Sequence, residues 1–188
     1  MDNSTTAIFK AILGNAWTAL PKPIQEMHDT SGDARMAGLA SVERGRGIPA
    51  RLIASLFRFP LEGTQIPVEV LITKTPGHET WLRTFGGRSF SSVLSAAAGR
   101  ADQLLTERFG PFSFQIALVV EDEKLKYIVR NWKFCGVPLP RSWAPRGDTY
   151  ESSKDGLFGF DIEIGHPLAG LIVKYSGNLA IAKLRPDA

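Results

Sequence analysis

The sequence predicts a single α+β domain: one large, curved antiparallel sheet, half-barrel or barrel-like with about 8–10 strands, packed against N-terminal helices. Three observations predict it. Helical periodicity is confined to the part of the chain before Pro60. After Gly63, short alternating segments follow one another at roughly the 8–12-residue spacing of antiparallel strands. No strand–helix–strand alternation occurs in that second part, so a parallel sheet is not expected.

Residues 4–20 form the first expected helix, with Ser4, Thr5 or Thr6 as its cap. Ile8, Ala11, Ile12, Asn15, Ala16 and Ala19 recur at helical spacing beside a stripe of Phe9, Leu13, Trp17 and Leu20, and Pro21 stops the helix. Ile24 to His28 is a short second helical segment, together with the first spanning about 4–28. Ala34 to Arg44 alternates as an extended segment. Residues 49–57 are a further helix, on which Leu52, Ile53, Leu56 and Phe57 form an apolar stripe. The β-rich region spans about 64–184. Its expected strands are 68–74, 78–85, 88–97, 102–109, 112–121, 125–134, 149–153, 156–164, 171–174 and 177–184. Turn residues such as Pro76-Gly77, Gly86-Gly87 and Gly110-Pro111 separate them. A Pro-rich stretch from Val137 to Arg146, carrying Trp143, interrupts the series as a lid, docking surface or rigid crossover.

A chain of 188 residues with 44% apolar content supports one domain with a core of its own. The net charge of +3 comes from 22 basic and 19 acidic residues mixed along the chain, which argues against a nucleic-acid partner. Cys135 is the only cysteine, so neither an internal disulfide nor a thiolate metal site is expected. It lies in an apolar run and is read as a buried hydrophobe in a reducing, cytoplasmic setting. No signal peptide and no membrane span is expected, and no cofactor or metal.

Several motifs then follow in order. Trp81-x-Arg83-x-Phe85-Gly86-Gly87-x-x-Phe90-x-Ser92 leads to Glu107-x-Phe109-Gly110-Pro111-x-x-Phe114. Arg130-x-Trp132-x-x-x-Gly136-Val137-Pro138-Leu139-Pro140-Arg141 precedes Ala144-Pro145 and Glu151. The tail has Gly156-x-Phe158-x-Phe160-Asp161-Ile162-Glu163-Ile164, Pro167-Leu168-x-Gly170 and Tyr175-x-Gly177-x-Leu179. With Leu20-Pro21, Gln25, His28 and Glu43-Arg44-Gly45, this series resembles the bacterial family known as domain of unknown function 4166 over nearly the whole chain. His166 departs from it, standing where an apolar residue is more usual. The resemblance implies neither an activity nor catalytic residues. It implies relatives that stand alone or are attached to nicotinamide-binding reductase-like domains, some of them joined to membrane segments. This chain carries no G-x-G-x-x-G, so a reductase-like partner would be a separate protein.

Alternation puts Glu79, Trp81, Arg83 and Phe85 on one strand face, with Arg88 just beyond. Arginines interleaved with aromatics suit an anionic head group, or equally a face on which Arg83 pairs with Glu79 and stacks on Trp81. On the 125–134 strand, Arg130 shares a face with Ile128, Trp132 and Phe134 and would need an acid, for which Glu107 and Glu151 are candidates. Asp161 and Glu163 are read as solvent-facing charges. His28 is the best proton-transfer candidate among His28, His78 and His166.

The ligand-binding set is therefore His28, Trp81, Arg83, Arg88, Glu107, Arg130, Trp132 and Glu151. The leading expectation is a small-molecule or lipid-binding module, taking an apolar or anionic ligand in a pocket between sheet and helix. The alternatives are an enzyme using His28 with Glu107 or Glu151, and an interaction domain docking on a separate oxidoreductase.

Overall fold

The computed structural model describes residues 7–97 and 104–182. Three helices and a 3-10 turn precede or interrupt the early strands: α1 (Ile8–Leu13), the turn (Gly14–Ala19), α2 (Lys22–His28) and α3 (Ile48–Leu56). The strands are β1 (Ala34–Arg44), β2 (Gly63–Thr75), β3 (His78–Phe85), β4 (Arg88–Ala96), β5 (Leu104–Phe109), β6 (Phe112–Glu121), β7 (Lys124–Phe134), the two-residue β8 (Val137–Pro138), β9 (Tyr150–Lys154), β10 (Leu157–His166) and β11 (Gly170–Ile181).

Every pairing is antiparallel, and the sheet closes on itself. β1 through β7 pair in sequence, β7 meets β9, β9 pairs β10, β10 pairs β11, and β11 returns to β1 over Met36–Ile181 to Arg44–Val173. The result is a ten-stranded barrel, with β8 a short flap on β7. Of the two expected forms, half-barrel or barrel-like, the sheet takes the second, as a closed barrel. Closure removes the exposed edges that an open sheet would leave.

Local chemistry accounts for the meander. Six hairpins have two-residue loops, at Pro76-Gly77, Gly86-Gly87, Gly110-Pro111, Asp122-Glu123, Cys135-Gly136 and Asp155-Gly156. Four of them hold both loop residues at positive φ, the turn whose twist matches that of paired strands. Cys135 occupies one of these turns, with φ 48°, and is exposed. The buried cysteine is corrected accordingly: a turn tip lies outside the core.

Three other boundaries differ from expectation. The helix expected over 4–20 breaks at Gly14, whose φ of 52° ends α1 and starts the 3-10 turn. Its expected caps, Ser4, Thr5 and Thr6, lie outside the described residues, and Ala7 occupies the N-cap position without a side-chain bond. The strands expected at 171–174 and 177–184 are one strand, β11. Gly177 does not end it. A Cβ there would lie 2.2 Å from Leu39 O, so glycine lets two strands cross closely within a continuous ladder.

The two ends of the barrel are closed differently. α1 and α2 pack at the end bearing the 76–77, 122–123 and 155–156 turns, inserting Phe9, Ile24, Met27 and His28 into the core. Phe9 is fully buried, worth about 2 kcal/mol of transfer free energy. At the other end, α3 lies over the start of β11 and the end of β1. The link after it places Phe57 and Phe59 against Phe90, Phe109 and Phe112. Arg44 fixes this link by donating to Ala54 O and Phe59 O.

The apolar stripe of α3 is divided: Ile53 and Phe57 pack against the core, and Leu52 and Leu56 do not. Ala50 and Ala54 are its buried residues, while Leu52 and Leu56 are 66% and 76% exposed. The small alanines allow close packing on the barrel wall. No helix among the described residues is long and apolar enough to cross a membrane.

Candidate functional site

The barrel encloses a cavity of about 550 Å³. Inward-facing residues of the strands line it: Val68 and Val70 of β2, Trp81, Arg83 and Phe85 of β3, Ile116 of β6, Val129 of β7, and Phe158, Phe160 and Ile162 of β10. Phe9 and Met27 form its floor, and Phe59 and Phe109 lie toward the other end. The period-2 alternation of the strands supplies this apolar lining directly.

Polar groups enter it in two clusters. His28, at the end of α2, is buried and stacks on Phe9 at a centroid distance of 3.7 Å and on Trp81 at 5.6 Å. Its Nε2 donates to Glu151 Oε2 at 2.7 Å, and Tyr127 Oη donates to Glu151 Oε1, also at 2.7 Å. A carboxylate can only accept here, so the imidazole carries a proton on Nε2. His28 Nδ1 is buried with no hydrogen-bond partner among the described residues. Burial, and then the Glu151 charge, raise the Tyr127 phenol well above its usual range.

The second cluster surrounds Arg83. Its guanidinium lies over Trp81 at 5.1 Å and Phe90 at 5.9 Å, and donates to Ser92 Oγ at 2.9 Å. Glu107 Oε1 is 3.8 Å from Nη2, an ion pair longer than a hydrogen bond. Tyr175, on the same wall, makes no hydrogen bond to another described residue. Burial pushes its phenol up to about 12, partly opposed by the Arg83 charge.

Between β7 and β10 the wall is weakly sealed. β9 pairs with β7 only at Leu125–Glu151 and Lys126–Tyr150. Beyond them Tyr127 N donates to Thr149 O, and a single bridge joins Arg146 to Gly165. Lys126, Ile128 and residues 145–149 line the cavity here, at a seam where it approaches the surface.

The structure brings together five of the eight residues singled out from sequence: Trp81, Arg83, Glu107 and Glu151 on the cavity wall, with His28 packed against them. The other three lie elsewhere. Arg88 sits near Arg44, outside the lining. Arg130 is exposed, because β7 bulges there: Val129 pairs with Ile116 and Asn131 with Gln115, leaving Arg130 as the extra residue. The bulge corrects the expected shared face. It turns Arg130 outward and Trp132 inward, stacked on Phe112 and Phe114 with its indole donating to Pro140 O.

Arg130 therefore needs no buried acid. Glu79 serves Lys74 and the Trp81 indole, not Arg83. Asp161 and Glu163 pair with Lys174. Tyr127 was not singled out at all, although its place two residues after Leu125 puts it on the inward face. Tyr175 lay in the recognised pattern without a role. His78 opens β3 and His166 ends β10, each bonded to a backbone group of the adjoining turn. Among the described residues no cluster of three or more His, Cys, Asp or Glu side chains is placed to hold a metal ion.

Fold and site define a closed antiparallel barrel with an aromatic interior and a few convergent polar groups. The chain belongs to the domain of unknown function 4166 family, whose model matches residues 20–179. Comparison with curated proteins and with solved structures returned no match.

Proposed function

We propose that the protein binds a small, largely apolar molecule inside the barrel. The observation that carries this reading is the cavity: about 550 Å³, within the roughly 300–1,000 Å³ of small-molecule sites, apolar and with few polar groups. A fully packed barrel of this kind would have no such space.

Charge narrows the ligand. The charged groups lining the cavity are Arg83, Lys126 and Arg146 against Glu107, Asp148, Glu151 and Glu163, so the lining has no surplus positive charge. A carboxylate would add a further anion to this set. The donors left over are the Arg83 guanidinium edge and the Tyr175 hydroxyl, which stays protonated because its phenol is raised to about 12. An uncharged acceptor, such as a carbonyl or ester oxygen, fits them best.

The catalytic alternative is favoured by one feature, the His28–Glu151–Tyr127 chain, and it selects Glu151 over Glu107. Both Glu151 oxygens are already engaged, and Tyr127 is held protonated, which supports binding ahead of proton transfer.

Displacement of a cavity-bound anilinonaphthalene dye by matched twelve-carbon compounds tests this. Methyl dodecanoate is expected to compete about tenfold better than dodecanoate, with Arg83→Met reducing the difference. Failure of every compound, with no ligand detected by native mass spectrometry, would falsify the binding reading. A preference for dodecanoate would overturn only the uncharged end.

A further inference from the structure

We propose that α3 and its flanks form a docking surface for an anionic lipid membrane. This rests on the outer surface alone and not on the cavity reading.

α3 presents Ile48, Leu52 and Leu56 to solvent, at 74%, 66% and 76% exposure. They recur every four residues along a nine-residue helix, so they share one face. Leu61 extends the face beyond the helix at 53% exposure. Leu168, at 78%, joins it from the β10–β11 turn, where Gly47 approaches Ala169 O. Singly scattered exposed apolar residues need no explanation, but four leucines and an isoleucine on and around one helix do. Orientation adds to this. The helix turns Ala50, Ala54 and Ile53 to the barrel and leaves Ile48, Leu52 and Leu56 in water.

The charge of the surface selects the partner. From Arg44 to Leu61 the chain carries four arginines and no acidic residue. Arg46, Arg51 and Arg58 are exposed around the apolar face. Arg44 and Arg88 lie close enough beneath for Arg88 and Arg51, after burial, to lower the Arg44 guanidinium. Glu43 and Glu62 are the nearest acids along the chain. An apolar stripe rimmed by arginines is the arrangement of helices that lie in the plane of an anionic bilayer, apolar side chains among the acyl chains and guanidinium groups at the phosphates. Gly47 and Pro49 open the helix and Arg44 holds its far end, so the stripe is presented as a rigid edge.

Co-sedimentation of the full chain with vesicles tests this, using phosphatidylcholine alone and phosphatidylcholine mixed with phosphatidylserine. Binding to the mixed vesicles is expected, weakening as salt rises. Arg46→Gln with Arg51→Gln should cost about an order of magnitude or more in partitioning. Leu52→Ser with Leu56→Ser should cost at least as much, with an unchanged circular dichroism spectrum because both side chains are already in water. No binding to mixed vesicles overturns the proposal, as does wild-type binding by either double variant. A concentration-dependent dimer that the leucine variant abolishes, with no vesicle binding, would assign the face to a second copy instead.

Discussion

Tyr175 shows how much depends on single side chains in this interior. A phenol raised to about 12 in the folded state, against about 10 when unfolded, holds its proton more tightly when folded. Its contribution to stability is complete below about pH 10 and is lost as pH rises toward about 12. Tyr127 is shifted the same way. Urea midpoints near neutrality and at about pH 11 should therefore differ, and Tyr175→Phe should recover about 1–2 kcal/mol of that alkaline loss. Equal losses in both proteins would sink the argument. At this scale the sequence was partly legible. His28 and Glu151 were candidates because both lay in the recognised motifs. Nothing local said that they meet across 123 residues or that Tyr127 joins them. Arg130 was misplaced because one extra residue in a ladder inverts the alternation on which face assignment relies.

The strands were the most legible elements, because turn chemistry punctuates them. Gly86-Gly87 and Gly110-Pro111 mark two-residue hairpins that the sequence already separates as turns. The same rule misled at Gly177, where glycine serves close approach rather than a turn. A Cβ at Gly38 would lie 1.8 Å from Asn178 O, so that glycine too is imposed by the β1–β11 contact. Gly38→Ala and Gly177→Ala should each destabilise by about 3 kcal/mol or more in chemical denaturation, or prevent folding. A loss below about 1 kcal/mol would show that the ladder yields there. Cys135 makes the contrasting case. At a turn tip it should react with a thiol-exchange reagent in the native protein at nearly the rate of the denatured chain, whereas protection by a hundredfold or more would return it to the core. The stripe of α3 was legible in composition, but only the packed barrel shows that Ala50 and Ala54 join Ile53 on the wall while Leu52 and Leu56 face water.

For the molecule as a whole, an α+β class and a curved sheet followed from element order, but closure did not. It depends on β9 bridging to β7 by two residue pairs and on β11 finding β1. Neither leaves a local mark in the sequence. The interior space follows from closure, since an open sheet curled on α1 would have filled its concave side with the helix. Here the helices stopper one mouth and leave the middle of the barrel to aromatic side chains and the Arg83 cluster.

The β1–β11 ladder joins the first strand to the last. During synthesis β1 leaves the ribosome with its outer edge unpaired. At about 5–20 residues per second its partner follows on the order of ten seconds later. For that interval the nascent chain carries a strand template open to its neighbours on the same messenger, and contacts of such long sequence separation form late in folding. The barrel's last hydrogen-bonded seam thus makes the growing chain a natural client for a chaperone that shields strand edges until the final dozen residues of the ladder arrive.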